Sequence, residues 1–453
     1  MVEASRAGDL LSELTDGIRG CFVRVEPWVQ AGKYVRACLS DLGKRNGWSI
    51  AEWVGDATPD KTQRLLNHAC WDAGAAVSVI RRFVIGGLDA AAGGCGLRIA
   101  AVDETGQQKA GTASAGVKRQ YMGCAGRVAN GINTVHLSYV RQHTGHGLIG
   151  FRQWIPREHL EDPAVRKRMG LAEDLAFATK GELAVQILTD ACADGMMTDF
   201  VCGDEVYGAS PALRRYLEDN ARGYVLRVAK TFTLTLGGRR LTCADVVTTH
   251  LRARRRWMLA SAGSGSKGER DYAWAWIATA SPRHWLLIRR HLATGECACH
   301  YCHVPAGQPV SLKRLITAAG LRWPAEESFE FSKDYFGLDQ SQVRLHTAIT
   351  RHTVLVMAAL AVCVIAAARA RPRTDTQAPP PASPGDPPPA EPGLIPLTVA
   401  EIKRLFNAAT TRPRSPWHAA RWSHWRRRHQ ARARWFHKRA RLARQPQFAQ
   451  VKP

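Results

Sequence analysis

Acid is scarce in this chain: its 453 residues hold 39 Asp and Glu against 63 Lys and Arg, a formal net charge of +24. Such an excess points to a polyanionic partner, nucleic acid first and an anionic membrane surface second. The twelve Cys are scattered, without the spacing of a secreted disulfide framework. The opening "MVEASRAGDLLSELTDG" carries early acids and no apolar core of a signal peptide. A reducing cytoplasm is therefore the expected compartment. No apolar run reaches the ~20 residues of a membrane span; the longest, 353–368, is expected to be a buried core helix. Neither a GxxxxGK[ST] phosphate loop nor a GxSxG elbow occurs, so P-loop nucleotide hydrolysis and serine esterase chemistry have no support.

What is present divides the chain. Residues 1–92 read as helical: "SIAE" (Ser49 to Glu52) fits a capping box, and Thr58 with Pro59 is expected to start a helix. "AAAGGCG" then breaks the pattern. Strand-like runs follow at "LRIAAVDETG", "YMGCAGRV" and "NTVHLSYVRQ", a helical stretch over about 163–197, and a short apolar run in "DFVCGDEVYG". Residues 222–305 are β-rich, and from about 312 to 368 the chain turns helical again. Residues 371–397 form a Pro-rich linker, expected to be semi-rigid and extended. The tail, 398–453, is basic. From 401 onward it holds fifteen Lys or Arg and one acid, Glu401, so +14 of the formal charge sits there. Trp417, Trp422, Trp425, Trp435 and Phe436 interleave with that charge, a pattern suited to phosphate contact and stacking on nucleic acid.

Two acids end apolar runs. Asp103 closes "IAAVD" and Asp204 closes "FVCGD". If adjacent strands carry them, their oxygens converge, and close like charges need a cation. Hard oxygen ligands favour Mg²⁺ or Mn²⁺. A third acid is sought in "LRWPAEESFEFSKDYFGLD". At about 100° per residue, Arg322, Glu326 and Lys333 share one helix face, Glu330 lies four residues from Glu326, and Glu327 is about a quarter turn away. Phase alone leaves Glu326 and Glu330 open. The cluster "ECACHYCHVP" contains a CxxC, Cys299 and Cys302, but lacks the second half of a zinc site at usual spacing and reads as a strand.

"DETGQQKAGTASAGVKRQYMGCAGRVAN" (Asp103 to Asn130), "VCGDEVYG" and "RWPAEESFEFSKDYFGLDQSQVR" resemble, in order, the three catalytic blocks of DDE transposases of the insertion-sequence IS701 family, relatives of the IS4 group. "GKRNGWSIAEWVGDATPDKTQRLLNHACWD" resembles the family's N-terminal block, and "IPLTVAEIKRLF" with "WRRRHQ" its C-terminal end. The third block also matches the R-x3-E-x6-K part of the YREK signature at Arg322, Glu326 and Lys333, while the signature's Tyr is Ala319 here.

The resemblance implies an α/β fold. It comprises an RNase H-like catalytic core in two parts, 93–221 and 306–370, and a β-rich insertion, 222–305. An all-helical N-terminal DNA-binding domain (1–92) and the basic C-terminal tail flank them. It implies that Asp103, Asp204 and Glu326 are the catalytic, metal-binding triad, holding two Mg²⁺ or Mn²⁺ ions. It implies that Arg322 and Lys333 contact DNA phosphates; Arg119, Lys109 and Lys118, in the Gly-rich stretch after the first strand, are candidates for further phosphate contacts. The partners implied are double-stranded DNA, as transposon ends and target, and a second copy in a synaptic dimer. A catalytically inactive, transposase-derived DNA-binding protein is the alternative, and Ala319 puts a hairpin intermediate in doubt. Trp274 and Trp276 are expected to pack in the core of a strand layer rather than stack on a flipped base.

Overall fold

A computed structural model describes residues 2–265, 268–379, 381, 383, 386–410 and 415–443; the end of the basic tail, 444–453, lies outside them. Five helices come first: α1 (Val2–Gly17), α2 (Val25–Leu39), α3 (Gly47–Trp53), α4 (Asp60–Asn67) and α5 (Ala73–Ala92). The chain then runs through β1 (Arg98–Gln108), β2 (Lys118–Met122), β3 (Arg127–Arg141) and β4 (Gly145–Trp154). Helices α6 (Arg157–Glu161), α7 (Pro163–Met169) and α8 (Lys180–Ala193) lead to β5 (Phe200–Gly203), and α9 (Glu205–Gly208) and α10 (Pro211–Asp219) lead to β6 (Tyr224–Val228). Next come β7 (Thr233–Leu236), β8 (Arg239–Thr242), α11 (Cys243–His250), β9 (Met258–Gly265), β10 (Gly268–Ala278), β11 (His284–His291) and β12 (Cys297–His303). Helices α12 (Leu312–Gly320), α13 (Trp323–Asp334), α14 (His346–Thr374), α15 (Val399–Thr410) and α16 (Pro416–Leu442) close the described chain.

The architecture is mixed α/β. Among the described residues one ten-stranded sheet has the order β2-β3-β1-β5-β6-β12-β11-β10-β9, with β4 also on β3; β7 and β8 form a separate ribbon. Only the pairs β1–β5 and β5–β6 are parallel there; the other ladders are antiparallel. The β-rich segment is thus not a separate sheet, because β12 pairs directly with β6. Trp274 is buried in the core beside β9, its indole N–H donating to the Ala260 carbonyl at 3.0 Å. The Cys and His of "CACHYCH" alternate along β12, with Cys299 and Cys302 on opposite faces in two different cores.

Helix α14 explains its own composition. It is long and apolar enough to cross a membrane, but 89% of its apolar window is buried inside the protein. It packs against α1, α2, α4, α5, α15 and β4, and a single continuous core joins these helices to β3 and β4. A helix enclosed on all sides is apolar on all sides. Arg81 of α5 ties the helical layer to the sheet, donating to the Ile149 carbonyl at 2.9 Å and pairing with Asp194.

Two local expectations change, and one strand is added. The capping box of α3 belongs to Asn46, whose side chain accepts from Trp48 and Ser49 N–H, with Ser49 as its reciprocal partner. Asn at an N-cap competes as well as Ser does, and the chain selects the earlier start. Strand β4 carries no clear strand signal because glycines interrupt it. A β-carbon at Gly150 would lie 2.7 Å from Ile187, so glycine there lets α8 press onto the sheet. The Pro-rich stretch is not a simple spacer. Helix α14 continues to Thr374, and Thr376 and Ala378 N–H then donate to the Leu394 and Pro392 carbonyls, each at 3.0 Å. The chain returns on itself because Ile402 and Phe406 of α15 bury in the helical core.

Gly208 ends the short helix α9 directly against β6. A β-carbon there would stand 1.8 Å from the Arg227 carbonyl oxygen. Gly208→Ala is therefore expected to cost about 3 kcal/mol or more in denaturant unfolding, by overpacking a contact that cannot relax without moving backbone. A loss under about 0.5 kcal/mol would show that α9 is not held against β6 in this way.

Candidate active site

The parallel pairing of β1 and β5 builds the site. Their register sets Val102 beside Gly203, so the residue that follows each is an acid, Asp103 and Asp204. Asp103 continues β1, and its Oδ1 accepts from the Glu104 N–H at 2.8 Å. Asp204 is the N-cap of α9 and accepts from the Val206 N–H at 2.9 Å. Burial raises both carboxyls. Asp103 is pushed up to about 7, with nearby Asp204 adding to the rise and Arg322 opposing it. Asp204 is raised by burial first and by the charge of Glu104 second.

Helix α13 brings the third block to this point. Ser328 and Phe329 bury on its sheet-facing side, and His146 of β4 holds it through Ser328 Oγ at 2.8 Å and Glu327 Oε2 at 3.2 Å. At its start Arg322 spans the site. Its Nη1 donates to Asp103 Oδ2 at 2.8 Å and its Nη2 to Glu326 Oε1 at 2.5 Å. Burial alone would lower the guanidinium pKa, but Asp103 and Glu326 outweigh it and the group is raised. Glu330 is exposed, and Glu327 is engaged by His146. Arg322 thus stands between two candidate acids, where the phosphate role implied by the resemblance would have it free.

Lys333 is not part of that bridge. It lies further along α13 and lines a cavity of about 20 Å³ with Lys109, Thr134 and His136. His136, opposite Asp103 across the β1–β3 ladder, is held neutral to about pH 3 by burial and then by the Lys333 charge. Lys109 donates to the Ser341 carbonyl at 2.9 Å and is lowered to about 8 by burial, with Asp339 opposing. Lys118 and Arg119 sit on β2 and are exposed; Lys118 pairs with Glu158 at 2.7 Å. Among the described residues no three His, Cys, Asp or Glu side chains converge closely enough to hold a metal ion.

Glu104 has no sequence signal of its own. It is paired with Lys180 and accepts from the Tyr207 hydroxyl at 2.8 Å, and its charge bears on Asp204. Strand alternation hid it, since a residue next to Asp103 points to the other face of β1. Lys180 and Tyr207 come from α8 and α9, which no spacing links to "VDETG".

The two acids thus sit where the parallel pairing of β1 with β5 ends, and a carboxylate-bearing helix is fastened to one of them through Arg322. The chain belongs to the DDE superfamily endonuclease family, whose pattern matches residues 21–285. That span includes Asp103 and Asp204 and ends before Glu326. Residues of the chain are also 29% identical over 182 positions to the "Probable transposase for insertion sequence element IS701" of Microchaete diplosiphon. The aligned part covers 40% of this chain and 43% of that relative, so less than half of the relative's length is spanned. Among solved structures, the chain is similar to the piggyBac transposase in its synaptic complex with hairpin DNA. That likeness has a TM-score of 0.39 and 8% identity over 93% of this chain and 82% of that one, too loose to carry an argument.

The raised Asp103 carboxyl makes stability pH-dependent. Its folded pKa exceeds the unfolded value of about 4, so its contribution is full below pH 4 and lost as pH rises through about 7. In chelator, Asp103→Asn is expected to gain on the wild type in thermal unfolding as pH goes from 5 to 8. Parallel pH profiles for the two proteins would refute the burial of an ionising Asp103.

Proposed function

We propose that this chain is an insertion-sequence DNA transposase that binds the terminal inverted repeats of its element and catalyses DNA strand cleavage and strand transfer. The observation that carries the reading is the grouping of Asp103, Asp204 and Glu326 around Arg322 where the parallel pairing of β1 with β5 ends. The strand order β4-β3-β1-β5-β6, antiparallel then parallel, is read as an RNase H-like core. Strands β9 to β12 are read as the insertion that lengthens it.

Asp103, Asp204 and Glu326 would hold Mg²⁺ or Mn²⁺, two ions in the reading taken here. The donor set suits them: hard carboxylate oxygens, two of them buried with raised pKa and in need of positive charge. When bound, such ions supply an activated water or 3′-hydroxyl and stabilise the leaving oxygen of an in-line displacement. Arg322 bridges Asp103 and Glu326, and the planar guanidinium would equally suit a bidentate grip on a DNA phosphate beside them. Lys333 and Lys109, half-buried further along β1, would hold the phosphates that follow, with Lys118 and Arg119 on the exposed β2 further out. The helical N-terminal segment would read the repeats, and two copies would pair the ends in a synaptic dimer on double-stranded DNA in the cytoplasm.

Asp103→Ala, Asp204→Ala and Glu326→Ala are each expected to reduce Mg²⁺- or Mn²⁺-dependent nicking and joining of element-end DNA to background while leaving end binding intact. Glu330→Ala is expected to remain active. Wild-type protein that binds ends but neither nicks nor joins them under either ion would instead make the chain an inactive, transposase-derived DNA-binding protein. Cleavage indifferent to end sequence would make it a general nuclease.

A further inference from the structure

Helix α16 has 27 residues, nine Arg or Lys and no acid. Its two sides do different work. Trp422 is fully buried and its indole N–H donates to the Asp56 carbonyl at 2.9 Å. Trp425 packs edge-on against Trp48 with ring centroids 4.8 Å apart, and His429 stacks on Trp425. Arg426 donates to Glu52 Oε2 at 2.5 Å, and His418 bonds the Glu52 carbonyl. At about 100° per residue these five docking residues fall within roughly a quarter turn to a third of the helix surface. They fasten α16 to α3 and the turn after it.

The exposed cations lie outside that strip. Arg421, Arg428, Arg432 and Arg439 line one flank of it, within about 40° of one another, and Arg427 and Lys438 lie opposite it. Trp417, 86% exposed, and Trp435, 58% exposed, stand eighteen residues apart. Eighteen residues are about five turns, so the two rings share one line about 27 Å long with the cations around it. Arg439 rests over the Trp435 ring, 5.1 Å from its centroid, which holds a long cation ready on an open surface. Such a surface does not suit a membrane, since an interfacial helix needs a continuous apolar face, and the face beside the cations is taken up by docking. A second α16 does not suit it either, because two acid-free helices repel.

We propose that the outward face of α16 is a duplex-DNA clamp that grips the phosphate backbone without reading sequence, held rigidly by the Trp422 anchor. Its position favours DNA that also passes the catalytic end. Helix α3 begins just after Arg45, whose backbone N–H donates to Gln340 Oε1 at 2.6 Å. Ser341, the next residue, accepts from Lys109 at the end of β1. The clamp rests on the transposase reading for the duplex it would meet, not for its binding chemistry.

The test is fluorescence anisotropy of the full chain on a 30-base-pair duplex lacking element ends, across a salt series from about 50 to 200 mM. Each phosphate contact contributes about 0.9 to the slope of log affinity against log salt. Arg428→Gln/Arg432→Gln/Arg439→Gln should make that slope shallower by roughly 2 to 3. An exposed triple elsewhere, Arg157→Gln/Arg215→Gln/Arg240→Gln, should leave it nearly unchanged. Equal losses in both triples, or an unchanged slope in the first, would overturn the clamp. So would loss of binding to phosphatidylserine vesicles, or of self-association, in place of loss of duplex binding. Both triples should melt with the wild type, since every altered side chain is exposed. Clamp-dependent duplex binding in a wild type that nicks no element ends would leave the clamp standing and sink the transposase reading.

Discussion

Three carboxylates cannot share a partly dry corner of a protein without a positive charge among them. Burial disfavours each charge, and each carboxylate worsens the others' situation. In this chain Arg322 supplies the charge, reaching Asp103 with one amino group and Glu326 with the other. Much of the architecture serves that contact. The parallel pairing of β1 with β5 aligns the two acids, α9 locks the turn after Asp204 onto β6, and α13 is fastened to β4 through His146 so that its first turn overhangs the strand ends.

The same guanidinium holds Asp103 and Glu326 at its own hydrogen-bonding distances. Glu104 adds a fourth negative charge next door, itself neutralised by Lys180 and hydrogen-bonded by Tyr207. Two cations, Arg322 and Lys180, thus face four carboxylates, in keeping with the raised pKa of Asp103 and Asp204.

The extended sheet and the helical layer have separate physical reasons. Strands β12 to β9 continue the sheet from β6 and bury Trp274 and Ala262 against α12, where Gly320 admits the β9 backbone. The N-terminal helices do not form an isolated unit, since α14 passes through their midst and shares their core with β4. Helix α16 is held to that layer by aromatic rings and one ion pair, leaving its charge on the outside.

Much was legible before any coordinates. Apolar runs ending in Asp103 and Asp204 announced two strands and two candidate acids, because strand burial and a terminal acid are both local patterns. The length and apolarity of 353–368 announced a core helix for the same reason. Helical phase reduced the third acid to Glu326 or Glu330 but could go no further, since both positions satisfy the spacing. Only the tertiary structure set Glu326 on the Arg322 bridge and left Glu330 in solvent, because that depends on how α13 lies across β1 and β4. Likewise the charge of the tail was plain from composition. Which of its five aromatic residues anchor and which stay open was decided by α3, whose Trp48 and Glu52 are far away in sequence and adjacent only in the fold.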